Sequence, residues 1–162
     1  MSQTVVMETK GKTKVKIVDV DEKKINGITT RTTNDDEFNS KNARIANLWQ
    51  TFDSNVSVDY KNGNRVYGVY YNYESDANGE FSVLAGTDQN DSSTGKLENI
   101  NIISGKYLVF EAKGEMPQVV IDTWGKVWEY FSSSKAEYQR AYTTDFEYYK
   151  NENEIEVCIA IK

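Results

Sequence analysis

Two stretches of this chain repeat apolar residues at helical spacing, and the remaining apolar runs are short and strand-like. The first stretch, residues 40–53 with Ser40 as the predicted N-cap, follows a polar turn over Asn34–Ser40. Its apolar stripe is Ile45, Leu48, Trp49 and Phe52. The second stretch begins after Pro117, which suits the first turn of a helix, and its stripe is Val120, Trp124, Val127, Trp128 and Phe131. These stripes predict two helices packed on a core.

Eight strand-like runs lie before and after these helical stretches in the sequence, four in each half of the chain. They are Val15–Val20, Ile25–Thr33, Val66–Tyr73 and Phe81–Thr87 in the first half, and Ile100–Ile103, Tyr107–Ala112, Asp145–Tyr149 and Ile155–Ile161 in the second. In each half, the first two runs are predicted to form a hairpin. The third and fourth runs of the first half are predicted to pair antiparallel, with Asn78-Gly79 at the turn.

Each half therefore repeats the order strand–strand–helix–strand–strand. We predict an α+β fold in which the two units form one curved antiparallel sheet with two main helices on one face. The predicted domain covers residues 15–162, with pseudo-repeats at about 15–88 and 99–162 and a polar link at Asp88–Gly95. Residues 1–14 are expected to be an N-terminal extension, either loose or added as an edge strand.

Composition excludes several classes of function. The chain has 162 residues, with 25 acidic against 19 basic and a net charge of −6, and it lacks a lysine- and arginine-rich block, so direct nucleic-acid binding is not expected. No apolar run approaches the ~20 residues that cross a bilayer, which favours a soluble cytoplasmic protein. The chain has no histidine and no glycine-rich phosphate loop, so we expect no metal and no cofactor. Cys158 lies in an apolar run and is predicted to be a small core residue.

Glu147 lies within the aromatic run Asp145-Phe146-Glu147-Tyr148-Tyr149. A carboxylate costs several kcal/mol to bury alone, so it is solvated, protonated or close to a positive partner. Aromatic faces stabilise a stacked cation by roughly 0.5–2 kcal/mol each. The run therefore favours either a pocket for a bulky organic cation or a glutamate on the wet side of a half-buried sheet.

Several motifs occur together in an order that is typical of one family. In the second half they are Ile103-Ser104-Gly105-Lys106-Tyr107-Leu108-Val109-Phe110, Lys113-Gly114, Thr123-Trp124, Trp128 and Phe146-Glu147; in the first half they are Gly27, Arg31-Thr32-Thr33-Asn34, Leu48-Trp49, Tyr67-Gly68-Val69-Tyr70 and Tyr73-Glu74-Ser75-Asp76. With these motifs, residues 15–162 resemble the GyrI-like effector-binding domain family. That family includes effector domains of AraC- and MerR-type multidrug regulators, and the resemblance is greatest to its stand-alone proteins encoded on integron gene cassettes.

The resemblance implies an aromatic pocket between the two helices and the sheet that binds lipophilic cations, with Glu147 facing it. The side chains expected to bind the ligand are Glu147, Trp49, Trp124, Trp128, Tyr70, Tyr107, Phe146 and Tyr149. The protein would then act as a sensor or sequestering module without catalytic residues, as a homodimer or with a separate DNA-binding partner. Two alternatives stay open: hydrolysis of strained cyclopropane-containing alkylating compounds, which some members of the family perform, and a groove that takes a peptide.

Overall fold

The computed structural model describes residues 6–8, 14–89 and 97–162. The strands in these ranges are β1 (Val6–Glu8), β2 (Lys14–Val20), β3 (Lys23–Thr32), β4 (Val66–Tyr71), β5 (Phe81–Thr87), β6 (Glu98–Ile102), β7 (Gly105–Lys113), β8 (Arg140–Asn151) and β9 (Glu154–Ile161). The helices are α1 (Asn34–Phe38), α2 (Ile45–Asn55) and α3 (Gln118–Ser132), and a 3-10 turn covers Tyr60–Asn62. The predicted α+β fold with a repeated strand–strand–helix–strand–strand order is confirmed. Most of the predicted link Asp88–Gly95, and all of the predicted extension except β1 and Lys14, lie outside the described residues.

The strands form one antiparallel sheet in the order β1-β2-β7-β9-β8-β4-β5-β3-β6. β8 and β4 pair at its centre, where the two halves of the chain meet. The block β7-β9-β8 lies on one side of this seam and the block β4-β5-β3 on the other. The first strand of each half lies beyond the block of the opposite half, because β2 pairs with β7 and β6 pairs with β3. The two units are therefore interleaved rather than merely adjacent.

This exchange means that both predicted hairpins are wrong. They joined Val15–Val20 to Ile25–Thr33 and Ile100–Ile103 to Tyr107–Ala112, but β2 and β3 are not neighbours in the sheet, and neither are β6 and β7. The sheet curls so that its β6 edge approaches β8, and the Ile103 amide donates to Thr144 Oγ1 at 3.1 Å. Because the sheet curls, a short loop can join β6 to β7 although the two strands are not neighbours in the sheet. Apolar alternation identifies a strand but not its partner. The pairing predicted for the third and fourth runs is confirmed by β4 and β5.

The segment before α2 also differs from the prediction. The polar turn predicted over Asn34–Ser40 contains α1, and α2 begins at Ile45 rather than at Ser40. Thr33 caps α1, because its hydroxyl accepts from the Asp36 amide at 3.0 Å. The carboxylate of Glu37 accepts from the amides of Arg44 at 2.9 Å and Ile45 at 3.3 Å. A side chain from the preceding helix thus caps α2, and the residue at the N-cap position, Arg44, forms no capping hydrogen bond with its own side chain.

The helices cover one face of the sheet. α2 packs on β3 and β5, and α3 packs on β7 and β9, so the central strands β4 and β8 face the space between the helices. The buried helix residues are Leu48 and Phe52 of α2 and Val119, Thr123 and Val127 of α3. The stripe predicted for α3 is therefore split. Val127 lies in the core and Phe131 packs against it. Val120, Trp124 and Trp128 line the space between the helices, and the first two also contact the core.

The opposite face of the curled sheet carries a second apolar core. Cys158 is buried there with Tyr67 and Phe146, in agreement with its predicted role. Among residues 6–8, 14–89 and 97–162, no helix has both the length and the apolar character needed to cross a membrane.

Candidate functional site

Glu147 lies at the seam between the two halves of the sheet. It is directly opposite Gly68 in the β4–β8 ladder. Because side chains alternate along a strand, Glu147 faces the helices and Phe146 faces the other side. Gly68 provides the room for the carboxylate, since a Cβ there would lie 2.6 Å from Glu147 Oε1 and 2.9 Å from Trp49 Cζ2. The lack of a side chain at Gly68 is therefore part of the site.

The carboxylate of Glu147 is enclosed and held by three neutral donors. The residue is only 2% exposed. Tyr70 Oη–H and Trp124 Nε1–H donate to Oε2 at 2.8 Å and 2.7 Å, and Tyr149 Oη–H donates to Oε1 at 2.7 Å. Glu147 forms no salt bridge with any side chain in the described part of the chain. Within the described ranges it is therefore a buried carboxylate without a counter-ion.

Burial controls the protonation of this group. Desolvation raises the pKa of Glu147, and the hydrogen bonds from Trp124, Tyr149 and Tyr70 oppose that rise only in part. Burial and the charge of Glu147 raise the pKa of the Tyr70 and Tyr149 phenols well above the usual value, so both hydroxyls remain donors at neutral pH. A positive charge placed beside Glu147 would favour its ionised form.

A cavity of about 1510 Å³ lies beside Glu147, between α2, α3 and the central strands. Six of the eight predicted ligand-binding side chains line it: Glu147, Trp49, Trp124, Trp128, Tyr70 and Tyr149. Small-molecule pockets usually measure about 300–1,000 Å³, so this cavity has room for a bulky compound.

Aromatic contacts fix the walls of the cavity. Trp49 meets Tyr149 edge to face with ring centroids 5.5 Å apart, and Trp124 meets Tyr70 in the same way at 5.1 Å. At the mouth, Trp128 contacts Phe38 of α1 at 5.7 Å. Both rings are exposed, Phe38 by 72% and Trp128 by 40%, so this pair adds apolar surface at the entrance. Phe38 was not predicted, because it lies in the segment that the sequence indicated as a polar turn.

Two predicted ligand-binding residues, Tyr107 and Phe146, do not line this cavity. Both belong to the core on the opposite face of the sheet, where their ring centroids are 5.4 Å apart. The Tyr107 hydroxyl forms a hydrogen bond with Thr144 Oγ1 at 2.7 Å. Phe146 is adjacent to Glu147 on one strand and therefore has to face the other way. We exclude both from the site.

Sequence reasoning also missed a buried ion pair in the cavity wall. Arg140 and Tyr73 line the cavity, and both donate to Asp145 Oδ2, with Arg140 Nη2 at 2.6 Å. Asp145 is fully buried and accepts from the Ala160 amide through Oδ1 at 2.9 Å. The position of Asp145, two residues before Glu147, was the one signal that placed it on the helix side of the sheet.

Arg140 had no comparable signal. The strand predicted at Asp145–Tyr149 begins five residues too late, because β8 already begins at Arg140. The ladder between β8 and β9 shifts register between Arg140 and Asp145, and Tyr142 within this bulge has a left-handed φ of 55°. The bulge allows Arg140 to reach a carboxylate five residues later in the same strand.

The chain matches the sequence model of one known protein family. The model of Cass2, described as an integron-associated effector binding protein, matches residues 16–161. The chain belongs to this family. The assignment confirms the resemblance indicated by the motifs, and membership of an effector-binding family supports small-molecule binding by this chain.

Individual relatives agree with the family assignment. The chain is similar to the integron cassette protein VCH_CASS2 from the mobile metagenome of Vibrio cholerae, with 44% identity, a TM-score of 0.83, and coverage of 91% of this chain and 95% of that one. It is 30% identical over 140 residues to YobU of Bacillus subtilis (strain 168), which is named as a transcriptional regulator protein, covering 82% of this chain and 84% of YobU. The fold is shared with SAV2435 bound to tetraphenylphosphonium, at 20% identity, a TM-score of 0.66, and coverage of 91% and 93%.

Proposed function

We propose that this protein binds lipophilic organic cations in the aromatic cavity and that Glu147 recognises their charge. One observation carries the proposal: Glu147 is 2% exposed, has three neutral hydrogen-bond donors and lacks a positive partner in the described residues, yet it borders a large cavity. Buried charges in proteins are normally paired, so the missing partner is expected to be the ligand. The protein then acts as a sensor or sequestering module.

The surrounding groups suit such a ligand. Trp49, Trp124 and Tyr149 supply ring surface near Glu147, and each ring that contacts a cation contributes roughly 0.5–2 kcal/mol. The carboxylate is fixed in advance by its three donors, so little ordering is needed when a cation arrives. Apolar walls and a single recognised charge favour many different cations over one specific compound.

Two further points support the proposal. Tetraphenylphosphonium, which is bound to the structural neighbour SAV2435, is itself a bulky aromatic cation. The cavity also lies at the seam of β4 and β8 and takes residues from both halves of the chain, so we propose that residues 15–162 act as one binding unit. We also propose that any effect on transcription is exerted together with a DNA-binding partner.

Charge selectivity provides the test. Tetraphenylphosphonium and tetraphenylborate have nearly the same size and shape but opposite charge. We expect the protein to prefer the cation by about 100-fold or more, because the anion would be placed beside an ionised carboxylate. Trp49, Trp124 and Trp128 are the three tryptophans of the chain and all line the cavity, so quenching of their fluorescence reports occupancy directly. Equal affinity for both ions would rule out charge recognition.

The affinity for tetraphenylphosphonium, which has no titratable group, should rise with pH. Burial raises the pKa of Glu147 above the ordinary 4.5, so protons compete with the cation in a window above that pH. Conversely, a raised folded-state pKa stabilises the ligand-free protein below the unfolded-state pKa, and this contribution is lost as pH rises through the folded-state value. Titrations at successive pH values should show affinity rising for the native protein and staying flat for Glu147→Gln.

The hydrolytic alternative has one observation in its favour. Glu147 has a raised pKa and lies within hydrogen-bonding distance of two phenols, Tyr70 and Tyr149, which suits acid–base chemistry on a reactive ligand. Incubation with a strained cyclopropane-containing alkylating compound distinguishes the two functions. Consumption of many equivalents per protein molecule would indicate an enzyme, whereas a binding protein protects at most a stoichiometric amount.

A further inference from the structure

A second polar group lies in the cavity wall, close to Glu147. Asp145 and Glu147 are two residues apart on β8, where the ladder with β4 is regular, so their backbones are separated by about 7 Å. Asp145 is covered by Arg140 and Tyr73, and these two side chains form the cavity surface at that end. The two carboxylates thus present different surfaces: Glu147 offers a negative charge, and Asp145 is already neutralised.

The guanidinium of Arg140 is held tightly, but one of its N–H groups lacks a hydrogen-bond partner among the described residues. Its side chain is 8% exposed, forms the ion pair with Asp145 at 2.6 Å and lies over the Tyr142 ring at 4.4 Å. Arg140 Nε is buried and has no hydrogen-bond partner among the described residues, and it is the only buried side-chain nitrogen or oxygen there in that condition. Such an atom is costly, because a buried donor without an acceptor has lost its hydrogen bonds to water without replacing them.

We propose that Arg140 forms a hydrogen-bond-donating subsite for the ligand, so that the preferred ligands are cations carrying a neutral acceptor oxygen, such as a carbonyl, at a distance from the positive centre comparable to the ~7 Å spacing of Asp145 and Glu147 along β8. This inference rests on the proposed function, because the cationic centre of the ligand is placed at Glu147. The ion pair carries no net charge, so this end of the cavity selects a neutral acceptor over an anion. Arg140 itself lines the cavity, which places its side chain beside a ligand that occupies this end.

Two matched phosphonium probes test the subsite. In (4-acetylphenyl)triphenylphosphonium one ring carries a carbonyl, and in (4-isopropylphenyl)triphenylphosphonium the same position carries a group of similar shape without an acceptor. We expect the native protein to prefer the acetyl probe by about tenfold, the gain typical of one hydrogen bond to a charged donor. Arg140→Lys keeps a positive charge beside Asp145 but removes the Nε–H, and it should abolish this preference while retaining affinity for the isopropyl probe.

A second measurement does not depend on how well the variant folds. The carbonyl stretching frequency of the acetyl probe, recorded by infrared spectroscopy in the native complex, should fall on binding, because a carbonyl that accepts from a guanidinium is weakened.

Glu147→Gln should reduce affinity for both probes equally and leave their ratio unchanged. Equal affinities in the native protein, a preference that persists in Arg140→Lys, or an unshifted carbonyl band would each overturn the subsite. If neither phosphonium binds the native protein, the proposed function itself fails, and the two failures are thereby distinguished.

Discussion

Replacement of Glu147 by glutamine is expected to weaken the binding of methyltriphenylphosphonium by about 2–5 kcal/mol, because the cation then enters a buried site without its counter-charge. The fold should survive the substitution. A glutamine oxygen can take the hydrogen bonds of Tyr70 and Trp124, which both donate to Oε2, while the Tyr149 hydroxyl rotates to accept from the new amide. Isothermal titration calorimetry of native and variant proteins gives the difference directly.

Two controls isolate the charge. Triphenylphosphine oxide is a neutral compound of similar shape, and its affinity should change far less than that of the cation. Glu156→Gln makes the same chemical change on β9, where Glu156 lines a small hollow on the opposite face of the sheet, so phosphonium affinity should stay within about twofold of native. A similar loss for the neutral compound, or for Glu156→Gln, would contradict the role assigned to Glu147.

Asp145→Asn is expected to destabilise the folded protein by about 3–5 kcal/mol, because it leaves the buried guanidinium of Arg140 without its partner. Asp145 is fully buried, and its oxygens accept from Arg140, Tyr73 and the Ala160 amide. The midpoint and slope of urea denaturation measure this loss in the free energy of unfolding.

An exposed ion pair supplies the control for this variant. Asp19 accepts from Lys106 at 3.0 Å, but the two side chains are 58% and 65% exposed. Asp19→Asn should therefore change the free energy of unfolding by no more than about 1 kcal/mol. If Asp145→Asn costs no more than Asp19→Asn, the buried pair does not support the fold. A partial recovery in Asp145→Asn combined with Arg140→Met would show that the cost arises from the unpaired charge.

The amino-acid sequence indicates the elements of this fold better than their connections. Alternating apolar runs and helical stripes correctly predict the strands of both halves and the two long helices, because these patterns follow from which face of an element is buried. The partners of β2 and β6 could not be predicted, since a strand's own pattern carries no information about its neighbour. The start of α2 was missed for a similar reason: its cap, Glu37, belongs to the preceding helix.

The candidate site was predicted unevenly for equally physical reasons. Glu147 and the tryptophans stand out because a carboxylate among rings is chemically unusual, and the structure brings them together around one cavity. Phe146 could have been excluded from alternation alone. Arg140 could not have been found, because only the bulge in β8 carries it back over Asp145.

The exchange of β2 and β6 between the two halves has a consequence for how the binding chamber arises. Each half of the polypeptide adds a strand to the edge of the other half's part of the sheet. Contacts between residues far apart in the chain must therefore form before either half is whole. The ligand cavity therefore forms only in the complete fold. A chain in which only one half has folded could not bind a ligand there.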